Sequence, residues 1–312
     1  MEVTVVGGGI SGVACANALA SSGIPVVLRD RGRGLGGRMA SRILRDTGTP
    51  FDGRPVDIGA SYFTARDPLF SAQVDQWVAA GVVRPWTDAF HVATPEGIEG
   101  VRSGPMRYAA PRGLRSVVES TVRDDVDVRS GDDVAELPDD QVVALCMPLP
   151  QAHRLSDRVP DSSITWEPVI AVTCVFEERA WITLDGVFVN DDPVLTWIAD
   201  DGRRRGDDAP VLVLHVNPVL SAGHLDDPAG VIPQAVAALR RILGITAYPA
   251  WVDAHRWTFA KPLAAHPEPF WLSEDGRIGV AGDLWADGPR VEAAWLSGTA
   301  LGEALASRMA GA

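Results

Sequence analysis

Gly7, Gly9 and Gly12 fall in the spacing G-x-G-x-x-G, and Asp30 follows about 20 residues on. These residue types at this spacing can hold a dinucleotide. A glycine at the first position permits a tight turn, one at the second lets backbone approach a pyrophosphate, and one at the third lets a helix pack close to a strand. The acid can accept hydrogen bonds from ribose hydroxyls. Just beyond it, the segment Arg31 to Ala40 concentrates arginine and glycine, and Arg38 can neutralise a diphosphate with its planar fork.

The elements needed to position these residues are legible around them. Val3 to Val6 is a short β-branched run that reads as a buried strand, and Val13 to Ala20 reads as a small-residue helix ending near Gly23. Pro25 to Leu28 is a second strand, so the glycines open a helix between two strands, as a dinucleotide site requires. Further along, helices are expected over 68–79 and 113–122. Strands are expected at 82–86 and 89–93, around Val126 to Val128, at Val134 and over Val142 to Cys146. From about 160 to 265 the pattern changes to strands at 170–176, 186–189, 194–199, 211–216 and 250–259, interrupted by one helix at 229–243. The polar run Asp200 to Asp208 reads as an exposed loop with solvated arginines. A final helix follows Gly288 and runs to about 309.

Other chemistries are poorly served. The 312 residues include three cysteines, Cys15, Cys146 and Cys174, far apart and in apolar runs. With no Cys pair or Cys/His cluster, neither a metal site nor a redox disulfide is expected. A formal charge of −13 disfavours nucleic acid and anionic membrane as partners. No apolar stretch approaches the roughly 20 residues of a membrane span. The first strand begins at Val3, leaving no room for a leader, and the expected compartment is the reducing cytoplasm. Lys261 is the single lysine.

The stretch from Gly7 through Gly36-Gly37-Arg38 resembles the FAD-binding start of the flavin amine oxidase superfamily, and more closely the renalase family and its bacterial relatives. Asp57 to Asp67 is similar to that family's D-x-G-A-Q-Y-F-T segment, with Ser61 where glutamine is usual. Arg107-Tyr108 with Gly113 is similar to its R-Y-x-x-x-x-G segment. Ala254 to Ala260 is similar to an A-H-R-W-x-x-A block, and Arg290 to Gly298 to an R-V-E-x-A-W-x-S-G run. The resemblance implies cofactor contacts from Gly7, Gly9, Ile10, Ser11, Gly12, Asp30, Arg31, Gly37, Arg38 and Met39. It implies further contacts from Gly59, Ala60, Ser61, Val134, Gly282, Asp283, Arg290, Val291, Glu292 and Ala294. Asp283 would bond the ribityl chain, and the helix opened by Val291 would face the flavin C2 carbonyl.

The implied fold is α/β (α+β overall): a Rossmann-like FAD domain with an antiparallel-sheet substrate domain. Residues 1–67, 105–155 and 267–312 form the first, and residues 68–104 and 156–266 the second. The cofactor is non-covalent FAD, since no cysteine lies near the C-terminal flavin motifs. Candidate residues at the reacting centre are Tyr62, His255, Trp257 and Lys261. His255 and Trp257 would share one face of a strand. Lys261 could hold a water at the flavin, as in many amine oxidases, or be a surface lysine. Three activities stay open. The first is a renalase-like oxidase taking a hydride from a small molecule, such as an isomeric dihydronicotinamide dinucleotide, with oxygen as acceptor. The second is an amine oxidase or desaturase acting on a pathway intermediate. The third is a non-redox flavin isomerase.

Overall fold

The computed structural model describes residues 2–138, 141–160, 163–285 and 288–311. Strand β1 (Val3–Val6) leads into helix α1 (Ile10–Ser21) and β2 (Val26–Asp30). A small ladder of β3 (Ser41–Ile43) and β4 (Pro55–Asp57) precedes α2 (Pro68–Ala79). The long hairpin β5 (Arg84–Thr94) and β6 (Gly97–Ala109) is followed by α3 (Leu114–Thr121), β7 (Asp127–Ser130), β8 (Val142–Leu145) and the short α4 (Leu149–Ala152). Then come β9 (Trp166–Val175), β10 (Gly186–Val189), β11 (Leu195–Asp200), α5 (Asp201–Arg205), β12 (Val211–Val216), α6 (Pro218–Ala222), α7 (Ile232–Leu243) and β13 (Trp251–Pro262). The chain closes with β14 (Trp271–Leu272), β15 (Ile278–Val280) and α8 (Val291–Ala310).

Two large sheets organise these elements. The first has the order β14-β15-β8-β1-β2-β7, parallel except for β14. Val3 to Val6 pair with β2 on one side and with β8 on the other. The chain thus leaves β1 in one direction and returns on its far side, which makes a crevice at the carboxyl end of β1. The sheet is covered on both faces, so β1 and β8 are buried at every position rather than at alternate ones. Helix α8 lies against α1 at backbone distance. A Cβ on Gly298 would come within 2.0 Å of the Ser11 carbonyl oxygen. Phe70, Val74 and Trp77 of α2 join this core.

The second sheet has the order β13-β9-β12-β11-β10-β5-β6. Alternation gives it two different faces. Ile170, Val172, Cys174, Leu212 and Leu214 pack against Ala235, Leu239 and Ile242 of α7. The opposite face carries His255, Ala171, His215 and Trp197 in direct cross-strand register.

Several expectations need correction. The two short strands expected at 82–86 and 89–93 are one long strand, Arg84–Thr94, and β6 extends the hairpin to Ala109, so Arg107 sits on a strand. Val134 lies in irregular chain after β7. The Asp200–Asp208 run is a helical turn, α5, with Arg204 and Arg205 buried. Among the described residues no helix is long and apolar enough to cross a membrane, and no cluster of three His, Cys, Asp or Glu could hold a metal.

Candidate cofactor and substrate site

Two of the three motif glycines at the β1–α1 junction are explained from within the protein. Gly7 has φ +106°, and a Cβ there would lie 2.4 Å from the Cys146 carbonyl oxygen. A Cβ on Gly12 would lie 1.8 Å from the Gly7 carbonyl oxygen. Gly9 differs: its nearest protein neighbour would be Gly37 Cα at 3.9 Å, so the protein itself does not require a glycine there. The hydroxyl of Ser11, in the first turn of α1, is buried without a hydrogen-bond partner. Open space beside an orphaned hydroxyl at the positive end of a helix is what an anionic phosphate needs. Ile10 is buried beside it.

Asp30 accepts from the Gly8 and Gly32 amides, both at 2.6 Å, which fixes its carboxylate at the end of β2. The amides of Gly131 and Asp132 donate to the carbonyls of Gly32 and Asp30, at 2.7 and 2.9 Å. Those bonds bring the chain leading to the buried Val134 beside Asp30. Arg31 points to solvent.

Arg38 and Asp283 meet. The guanidinium donates to both carboxylate oxygens, at 2.7 and 2.5 Å, and to the Ala260 carbonyl at 3.1 Å. It also lies 5.5 Å over the Trp166 ring. Two residues expected to serve different parts of a cofactor are thus joined in one pair. The Ala60 amide donates to the Arg38 carbonyl at 2.8 Å, and a Cβ on Gly59 would reach that oxygen at 2.0 Å. Met39 is buried in the apolar core. Ser61 has a buried, unpartnered hydroxyl. At the far end, the Gly282 amide donates to Ser297 Oγ at 3.0 Å. Glu292 is buried, and its Oε1 accepts from the amides of Arg66 and Asp67, at 2.6 and 2.8 Å. Its carboxylate therefore holds the 59–67 loop against α8. Arg290 lies 3.7 Å from it, and Val291 and Ala294 form the first turn of α8.

The sheet face closes over this loop. The indole of Trp257 donates to the Ile58 carbonyl at 2.7 Å, and its ring edge would lie 3.4 Å from a Cβ on Gly59. His255 packs edge-on against Trp257, centroids 4.7 Å apart. Burial, then the Arg42 and Arg256 charges, lower the His255 pKa, with Asp253 opposing. Tyr62 packs on Phe90 and Trp197, at 5.2 and 5.8 Å. Burial raises its phenol pKa, with Arg107 opposing. Lys261 is exposed and faces Glu167 at 3.7 Å across the β13–β9 pair, the surface arrangement of the two considered for it.

Three further groups stand at the site without having been assigned to it from the sequence. His215 follows the alternation of an ordinary strand, yet its imidazole approaches the Gly59 backbone, and its Nε2 is buried without a partner. Burial and the Arg204 charge push it down to about 4, so it is neutral at neutral pH. Arg204 and Arg205 form a buried charge network with Asp201, Asp57 and Arg54. Arg204 donates to the Ser61 carbonyl at 2.9 Å and to the Asp57 carbonyl at 3.3 Å, fixing the loop that carries Gly59 and Tyr62. Burial would raise the Asp201 carboxyl, but Arg205, Arg204 and Arg54 outweigh it and hold it well below the ordinary range. Arg107 is the third, buried against Phe90.

Residues 5–77 match the NAD(P)-binding Rossmann-like domain family. Among solved structures, a putrescine oxidase variant from a redesign of cofactor binding is 14% identical. Its TM-score is 0.72, with 98% of this chain and 99% of that chain covered. An oxidoreductase from Methanosarcina mazei is 11% identical with a TM-score of 0.70, covering 96% and 99%. These likenesses establish the fold: a Rossmann-like dinucleotide domain joined to a second, largely antiparallel sheet, shared with two oxidoreductases.

Proposed function

We propose that the chain is a non-covalent FAD-dependent oxidase that takes a hydride from a small substrate and passes the electrons to molecular oxygen, giving hydrogen peroxide. The observation that carries this reading is the unclaimed space at Gly9 beside the orphaned Ser11 hydroxyl. That space is linked through the Gly36 amide on the Gly8 carbonyl, at 2.8 Å, to Arg38, Asp283 and the His255–Trp257 face. When bound, FAD supplies hydride acceptance and reoxidation by oxygen, and the protein supplies binding and orientation.

The residues present fit that group. The first turn of α1 and Gly9 would hold the pyrophosphate, Asp30 the adenosine ribose, and Asp283 the ribityl chain. The first turn of α8, at Val291, would offer amides and a positive dipole end to a flavin ring. All three thiols are buried, and burial pushes Cys174 up to about 12, which supports non-covalent attachment. Trp257 would wall the cleft, and His255, kept neutral, could accept a hydrogen bond from a donor there.

The renalase resemblance makes isomeric dihydronicotinamide dinucleotides the first donors to try. Oxidation of an amine is the second reading, favoured by the fold shared with putrescine oxidase. The test is anaerobic mixing of purified protein with 2- and 6-dihydro-NAD(P), NADH and a panel of small amines. Bleaching of the flavin band by an isomeric dihydronicotinamide, with recovery and peroxide in air, is expected. A colourless protein, or a yellow one that none of these bleaches, would contradict the proposal.

A further inference from the structure

Buried donors without partners collect on one part of the seven-stranded sheet. Nε and Nη1 of Arg107, Nε1 of Trp197 and Nε1 of Trp86 all lack a hydrogen-bond acceptor. Arg107 and Trp197 are only 6% and 5% exposed. Phe90 joins them: the Arg107 guanidinium lies 4.2 Å over its ring, and Trp197 and Trp86 sit 4.8 and 5.3 Å from it. Tyr62 closes the group, 5.2 Å from Phe90 and 5.9 Å from the guanidinium. Cross-strand pairing places His215, with its own orphaned Nε2, beside Trp197. Among the described residues Arg107 forms no ion pair.

A group of aromatic rings alone would suit a cationic amine. Here the place of the cation over Phe90 is taken by Arg107, which repels a second positive charge. Guanidinium and indole N–H groups donate and do not accept. A buried charge is costly unless it is paired, and buried polar atoms in native folds have partners. The ligand that completes this group is therefore rich in acceptors and negatively charged.

We infer that the substrate of this site carries an anionic group, a carboxylate or a phosphate, received by Arg107, Trp197 and Trp86 against the Tyr62–Phe90 rings. The inference rests on the oxidase reading and sharpens it, since it sets a simple diamine aside as the substrate. Tyr62 follows Ser61 in the loop that Gly59 and Ala60 tie to Arg38, so an anion held here would anchor a donor beside the proposed flavin cleft.

The test is calorimetric titration of the FAD-loaded protein with benzoate, phenyl phosphate and benzylamine. One or both anions should bind saturably, and the amine at least about tenfold more weakly, as one lost charge-assisted bond implies. The tighter anion identifies carboxylate or phosphate. Arg107→Met should weaken the anion by roughly ten- to a hundredfold, and Arg107→Lys by less. Should Arg107→Met not fold, Trp197→Phe, which keeps a ring and removes the N–H, should still weaken it several-fold. Benzylamine binding as tightly as the anions, no anion binding, or undiminished binding in every variant that folds would overturn the inference. Binding heat needs no turnover, so these results are separate from whether FAD is bleached by any donor.

Discussion

Two buried arginine centres lie on the second sheet and its α5 turn, and they are built in opposite ways. In the α5 centre every guanidinium nitrogen is used. Arg204 bonds Asp201, Ser61 and Asp57, and Arg205 bonds Asp201, Ala110 and Asp57. In the Arg107 centre two nitrogens and two indoles nearby have no acceptor. A guanidinium buried to hold a fold is saturated by carboxylates and carbonyls. One left unsaturated among aromatic rings marks a place for something the chain does not contain.

The contrast breaks most sharply in stability. Arg204→Met takes one of three arginines from the buried Asp201 carboxylate and the donor from the Ser61 and Asp57 carbonyls, and should cost about 3–5 kcal/mol, read as a drop in urea midpoint. Arg107→Met strands no carboxylate and should change stability by no more than about 1 kcal/mol in either direction. Equal losses would erase the distinction between the two centres.

His215 adds a pH test. An imidazole held neutral at a folded pKa of about 4 leaves stability intact above pH 6.5. As the pH falls from there toward 4, the unfolded chain takes up a proton that the folded one refuses, and stability is lost. The unfolding free energy of the wild type should therefore fall further between pH 7 and pH 4.5 than that of His215→Phe. The difference should be up to about 3 kcal/mol. Parallel curves would mean that the imidazole titrates normally.

The cofactor end should be less sensitive at any one residue. Asp283→Ala removes a charged acceptor and leaves Arg38 unpaired, and FAD affinity measured by fluorescence titration should weaken by roughly 1.5–3 kcal/mol. Unchanged affinity would argue against a ribityl contact. The smallest effect belongs to Lys261. Its exposed pair with Glu167 is worth at most about 1 kcal/mol, so Lys261→Met should keep both stability and the rate of flavin reduction. A slowed reduction would return this lysine to the cleft.

How much of this was legible follows from where each site draws its residues. The β1–α1 turn, Asp30 and the Arg38 segment are contiguous, so glycine spacing and flanking strands were enough to read them. Helix α2 showed in its apolar period. β6 did not, because most of this edge strand is exposed on both faces and glycines interrupt it. The α5 turn read as solvated because its charges are local while their partners, Asp57 and Ser61, lie more than a hundred residues away. His215 looks like an ordinary strand residue and Arg107 like part of a short R-Y motif, and only the register of β12 with β11 and of β6 with β5 turns them toward the 59–62 loop.

On the proposed function, the space at Gly9 is a flavin cradle. The most direct test of that reading is the visible spectrum of wild-type protein and Gly9→Val, purified side by side and compared for bound FAD per chain at matched folding by circular dichroism. Space needed by a pyrophosphate predicts a yellow wild type and a folded, colourless variant. A folded variant that keeps its full complement of FAD would contradict the account.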